Sequence, residues 1–168
     1  MTYPQIGRVL LVVGLLAGGS GCANTLNSHV SAEYQEKQTE IDSIALAGPG
    51  ASMAASAFDE FGYNVVDIGT GQDDPVERAK NLGVPYVAVV ARVDSEGSWW
   101  DGFFAFSMRV TETIKRKIIW SAQGNFGQGG ILINQADSTK NAMHDMVKDF
   151  SKTFPPKGKT DAKISQEK

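Results

Sequence analysis

Gly48, Pro49 and Gly50 follow a short apolar run, "IALA", and precede an alanine-rich stretch, so this part of the chain reads as strand, glycine turn and helix. That order can hold a phosphate on free backbone N–H groups at the start of the helix. Asp67, at the end of the next expected strand, falls where an acid that binds a ribose would fall. The pattern stops halfway, because Met53 occupies the third glycine position of G-x-G-x-x-G. The turn is therefore expected to hold the helix against a sheet, and Asp67 to bond loop N–H groups. No cofactor is expected. Other chemistry is sparsely represented. His29 lies in a polar stretch and His144 off the apolar stripe of the last helix, and neither has an obvious Ser or Cys partner for nucleophilic catalysis. Asp73 and Asp74 are the densest acidic spot, but Asp74 precedes Pro75 as a helix cap, and "GTGQDD" is not a calcium loop. Nothing singles out a pair of carboxylates for glycan hydrolysis. The expectation is a protein without a metal site that is not an enzyme.

The chain has one cysteine, Cys22, so no intramolecular disulfide can form. Before it stand Arg8, an apolar run from Val9 to Ala17 and a stretch of small residues. The run is far short of the ~20 residues that span a bilayer as a helix. A charged start, a short apolar centre and a small-residue exit describe an export signal. "GGSGC" resembles the lipobox of bacterial lipoproteins, with Ser20 and Gly21 in place and Gly19 where that family usually has Leu. The resemblance implies cleavage before Cys22 and lipid, palmitate included, on Cys22 itself, the alternative being plain secretion with a free thiol. Ala23 then implies the periplasmic face of the outer membrane, since in enteric-type bacteria Asp at that place favours inner-membrane retention. The periplasm holds no standing pool of ATP or NAD, which argues further against a nucleotide site.

The 168 residues carry 16 Lys and Arg against 19 Asp and Glu, a net charge of -3 without a basic stripe, which makes nucleic acid a poor partner. The length suits one domain with a core that needs no disulfides. Residues 1–21 are expected to be the signal, 22–40 a polar tether with helix near Ser31 to Thr39 as one option, 41–154 the folded domain and 155–168 a disordered Lys-rich tail. Within the domain, strands are expected at Ile41–Ala47, Tyr63–Ile68, Pro85–Val93, Phe103–Thr113 and Ile118–Phe126. Helices are expected from Pro49 to Phe61, after an Asp74 cap with Pro75 first and Glu77 reaching back, and from about Ser138 to Phe154. In the fourth strand Phe104, Phe106, Met108 and Val110 face the core, with Ser107, Arg109 and Thr111 on a wet face. In the fifth, Ile118, Trp120 and Ala122 share a face. The order β-α-β-α-β-β-β-α gives an α/β (α+β mixed) class: parallel strands first, an antiparallel meander after, in a single mixed sheet with helices packed on it.

The phrases "FGYNVVDIG", "NLGVPYVAVVARV" and "IIWSAQG" resemble a family of envelope proteins: the curli secretion lipoprotein CsgG, the TolB N-terminal domain and the peptidoglycan-synthase activator LpoB. The resemblance covers Ile41 to Phe154. It departs at "IKRK", where the family usually has a "T-G" turn, and CsgG's membrane-spanning hairpins have no counterpart. Its motifs are hydrophobic patterns with a few glycines, so it implies the fold more than the function, and with no chemistry visible the leading expectation is a protein that acts by binding others. Large aromatics on loops make good anchors for a partner. Trp99, Trp100 and Phe103 in "SWWDGFF", and Ile131 in "NFGQGGILIN", are therefore the candidate contacts; the same residues can instead cover the core. The functional expectation is a lipid-anchored accessory or assembly factor for an envelope machine (secretion, flagellar or wall-synthesis), with a homo-oligomer as one option. The alternative is a periplasmic binding module for a small ligand or glycan.

Overall fold

A computed structural model describes residues 25–36, 38–93, 103–127 and 135–158. Six strands form one mixed sheet: β1 (Thr25–Val30), β2 (Ser43–Ala47), β3 (Asn64–Gly69), β4 (Tyr86–Val93), β5 (Phe103–Glu112) and β6 (Lys117–Gly127). Three α-helices accompany it, α1 (Ala51–Glu60), α2 (Pro75–Asn81) and α3 (Gln135–Thr153), with a 3-10 turn at Ala32–Tyr34. The strands lie side by side as β1-β6-β5-β4-β2-β3. β2 is parallel to β3 and β4, as crossover helices require, while β4, β5, β6 and β1 are antiparallel neighbours. The expected mixed sheet with helices against it is the architecture found.

One face carries the main core. α1 and α3 cover it, and Phe150 of α3 sits among the rings of Phe58, Tyr63, Trp120 and Phe154 at centroid distances of 5.0–5.9 Å. The Tyr63 hydroxyl donates to the Phe154 carbonyl at 2.5 Å, satisfying both groups in the interior. The short α2 covers only part of the opposite face, packing toward β4 and β3 over Ala45, Ala47, Val84 and Val87. Its cap is as expected: the Asp74 carboxylate accepts from the Val76 N–H at 2.9 Å, with Pro75 first in the helix. Glu77 does not reach back to the cap; Arg116 holds its carboxylate instead.

Three further expectations need correction. The first concerns the polar tether. Residues 25–30 are β1, paired with β6 from Thr25↔Asn125 to Val30↔Trp120. An edge strand with one wet face needs few apolar residues: Leu26 and Val30 pack on the core and the rest of the strand is exposed. Asp149 of α3 adds a polar latch. Burial pushes its carboxyl upward, but hydrogen bonds from Ser28, Lys152 and Trp120 outweigh that and hold it below the usual range. Tyr34, just beyond, is buried and bonds Glu112 at 3.0 Å.

The second correction is on β6. A register shift between Val110 and Thr111 sets Trp120 opposite Val110 but Ile118 opposite Thr111, which turns Ile119 into the core and leaves Ile118 44% exposed. The third concerns the tail. Its first residues are tied down, with Pro156 bridged to Ile41 and the Lys157 N–H donating to the Ile41 carbonyl at 2.8 Å. The rest of the expected tail, like the expected signal, lies outside the described residues.

Candidate interaction surfaces

The glycine turn after β2 is built into the sheet. The Gly48 N–H donates to the Gly69 carbonyl at 3.2 Å and the Gly50 N–H to the Val90 carbonyl at 3.0 Å, so neither is free to hold a phosphate. Gly48 has φ +90°, and a Cβ there would lie 2.6 Å from the Val90 oxygen. Gly50 has φ −93°, and its need is space: a Cβ would lie 2.5 Å from the Val90 Cγ1. Asp67 accepts from the Gly69 N–H at 2.8 Å, the loop bond expected of it. His144 stands beside the Phe61 ring (centroids 5.0 Å apart) and the Glu60 carboxylate (3.9 Å). Among the described residues no three His, Cys, Asp or Glu side chains gather as a metal site.

Strand directions bring several segments to one end of the sheet. Thr25 starts β1 opposite Asn125, Phe103 starts β5 opposite Gly127, and Val93 ends β4 opposite Ala105. The chain before Thr25 and the connections 94–102 and 128–134 therefore all leave from this end. Cys22, Trp99, Trp100 and Ile131 lie outside the described residues, as does the side chain of Phe103.

The opposite end is held by charge. Thr113 ties the β5–β6 turn to the start of β4 through its hydroxyl on the Val84 carbonyl (3.0 Å) and its N–H on the Pro85 carbonyl (2.9 Å). Arg116, at φ +52°, pairs with both Asp74 and Glu77 at the start of α2. On the other flank Lys117 pairs with Glu33, and Lys115 lies 3.3 Å from Glu112 and 3.8 Å from Glu33. The hydrogen bond from Lys117 holds the Glu33 carboxyl below its usual value, and that from Lys115 to Glu112 holds the ammonium of Lys115 above its own. The turn so held displays Ile114, 76% exposed, and Ile118; Leu82, 60% exposed, stands two residues before Val84 at the same end. These three are the exposed large hydrophobics among the described residues. For Ile114 and Ile118 the sequence carries a signal, since they are the apolar residues that flank Lys115, Arg116 and Lys117; Leu82 has none of this kind.

Between the two ends, the sheet face that α2 leaves open forms a trough of about 800 Å³. His29, Ser121, Arg109 and Val89 are mutually opposite across its floor, in one row. Asn27, Gln123, Ser107 and Ala91 make the next row, and Pro75 and Val76 of α2 line it as well. Ser107, Arg109 and Thr111 were expected on this face, whereas His29 and Asn27 were not, because β1 was not recognised.

No family model matches the chain, and no curated protein matches it in sequence. Among solved structures, the fold is similar to that of a PelC dodecamer from Paraburkholderia phytofirmans, with a TM-score of 0.56 and 15% identity over 74% of this chain and 95% of that one. Lipoprotein GNA1162 from Neisseria meningitidis (TM-score 0.44, 17% identity, 66% of this chain and 99% of that one) and the LpoB C-terminal domain from Salmonella enterica (0.39, 17%, 54% and 85%) are also similar. The PelC likeness shows a shared fold; the other two are too distant in shape to carry an argument.

Proposed function

We propose that this chain is a lipid-anchored accessory or assembly factor at the periplasmic face of the outer membrane, without catalysis of its own, that works by binding other proteins of an envelope machine. One observation carries the reading: Ile114 and Ile118, two exposed large hydrophobics of the described surface, lie at the tied-down β5–β6 turn, with Leu82 at the same end of the sheet, opposite the end where β1 starts at Thr25. Only three peptide steps separate Cys22 from Thr25, a reach of about 10 Å at ~3.3 Å per residue. Lipid on Cys22 would thus keep the Thr25 end close to the bilayer. Ile114, Ile118 and Leu82 would face the periplasm, on a turn already ordered, so that little conformational freedom is lost on docking. Self-association belongs to the proposal because a PelC protein of this fold is a dodecamer.

The test joins anchor to partner. A photo-crosslinking residue at position 114 in the lipidated protein is expected to trap a defined envelope protein. Ile114→Ser is expected to weaken recovery of that protein by about thirtyfold, the equivalent of ~2 kcal/mol for an apolar anchor, with an unchanged melting temperature. Cys22→Ser is expected to release the protein from the membrane and abolish fatty-acid labelling. Unchanged membrane association in that variant would refute the anchor; unchanged recovery after Ile114→Ser would refute the docking turn.

A further inference from the structure

The trough on the open sheet face has chemistry that an apolar docking turn does not use. Its floor lies on β4, β5, β6 and β1, where β5 and β6 are paired on both sides, so they offer no free backbone ladder to an incoming peptide strand. Recognition over them must come from side chains, and the polar ones of the floor are short hydroxyls, amides, the His29 imidazole and one guanidinium. Ser107 and Ser121 can both donate and accept, as can the amides of Asn27 and Gln123. Such groups match a ligand whose own groups do both, which is the property of sugar hydroxyls. Toward α2 the lining turns apolar, with Val76, Val89, Ala91 and Pro75, a surface for the C–H face of a pyranose ring.

Charge narrows the ligand further. Arg109 is exposed near the middle of the floor and has no ion-pair partner among the described residues. The one carboxylate lining the trough, Asp74, is engaged by Arg116 and by the Val76 N–H. A protein of net charge -3 thus presents an unneutralised guanidinium amid hydroxyls and amides. A guanidinium fork suits a carboxylate, which it can bind by two parallel hydrogen bonds. From His29 across Ser121 to Arg109 is about 10 Å at ~4.8 Å per strand, and the two rows are about 7 Å apart. The trough volume lies within the ~300–1,000 Å³ range of ligand clefts.

We propose that this trough is a binding site for a carboxylate-bearing oligosaccharide, with Arg109 on the carboxylate and Ser107, Ser121, Asn27 and Gln123 on the hydroxyls. This function is additional to protein docking and does not depend on it. The test is calorimetric titration of the full lipidated chain in detergent with a galacturonic acid tetramer and, separately, with its methyl ester, which keeps the hydroxyls and loses the charge. The acid is expected to bind saturably and the ester at least about tenfold more weakly, as loss of a charge-assisted pair implies. Arg109→Gln, at an exposed position, is expected to melt as the parent does and to bind the acid no better than the ester. Gln123→Ala is expected to weaken both. Equal affinity for acid and ester, no saturable binding of either, or an Arg109→Gln variant that keeps full affinity for the acid would overturn the proposal. So would a protein crosslink from position 123 that excess tetramer does not diminish.

Discussion

At the scale of single residues, the glycine turn shows how one motif can serve two purposes with the same residue types. A phosphate cradle needs its N–H groups free, and here the Gly69 and Val90 carbonyls hold them. Both glycines are required by Val90, in different ways. Gly48 has a positive φ that side chains resist and abuts a backbone oxygen that cannot move aside. Gly50 has ordinary dihedrals and abuts a methyl group. Gly48→Ala is therefore expected to cost more than about 1 kcal/mol whatever stands at position 90. Gly50→Ala is expected to cost a similar amount in the parent and clearly less in a Val90→Ala background, because truncation removes the Cγ1 contact. Thermal unfolding of the four combinations measures the coupling. A cost for Gly50→Ala that is equal in both backgrounds would place its origin elsewhere.

At the scale of elements, β1 and the β5–β6 turn depend on each other's neighbourhood. β1 ends at Val30, the chain turns through Tyr34, and Glu33 meets Lys115 and Lys117 of the turn. Exposed pairs of this kind are screened by solvent and add little to stability, so their value lies in fixing position. β1 itself is held by its ladder with β6 and by Leu26 and Val30 on the core. Amide hydrogens of residues 25–30 that donate to β6 are thus expected to exchange far more slowly than those of a solvated tether. Leu26→Ala is expected to speed their exchange without altering that of β2. Exchange at the unprotected rate throughout 25–30 in the parent protein would show that β1 is not a strand in solution.

At the scale of the whole molecule, alkaline pH probes how α3 and the chain around Tyr34 close over the main core. Burial, reinforced by the hydrogen bond to Glu112, pushes the Tyr34 hydroxyl up to about 12; burial alone raises Tyr63 further, and burial first, with Glu112 second, raises Tyr86. An unfolded tyrosine titrates near ~10. The folded state therefore holds these protons more tightly, and the stability that they lend is complete below pH ~10 and is lost as pH rises through about 12. Melting temperature is expected to fall with pH above ~10, and Tyr34→Phe is expected to make that fall shallower while lowering stability modestly at neutral pH through loss of the Glu112 bond. Phenolate absorbance from these residues appearing near pH 10 with native circular dichroism intact would contradict the burial.

The sequence by itself determined the elements whose signal is local. Hydrophobic period identified α1, α3 and β3 to β5; Asp74 and Pro75 marked the start of α2; and the alternation of Ser107, Arg109 and Thr111 with Phe106, Met108 and Val110 assigned the faces of β5. What it left open depends on contacts between residues far apart. β1 is a strand because β6 offers it an edge, which six mostly polar residues cannot announce. Ile118 is exposed because a register shift between two strands displaces it from the face that strict alternation assigns. Arg109 lies among Ser121, Gln123, His29 and Asn27 only once three strands are set side by side, since strand order is a long-range choice made by packing and ladder bonds.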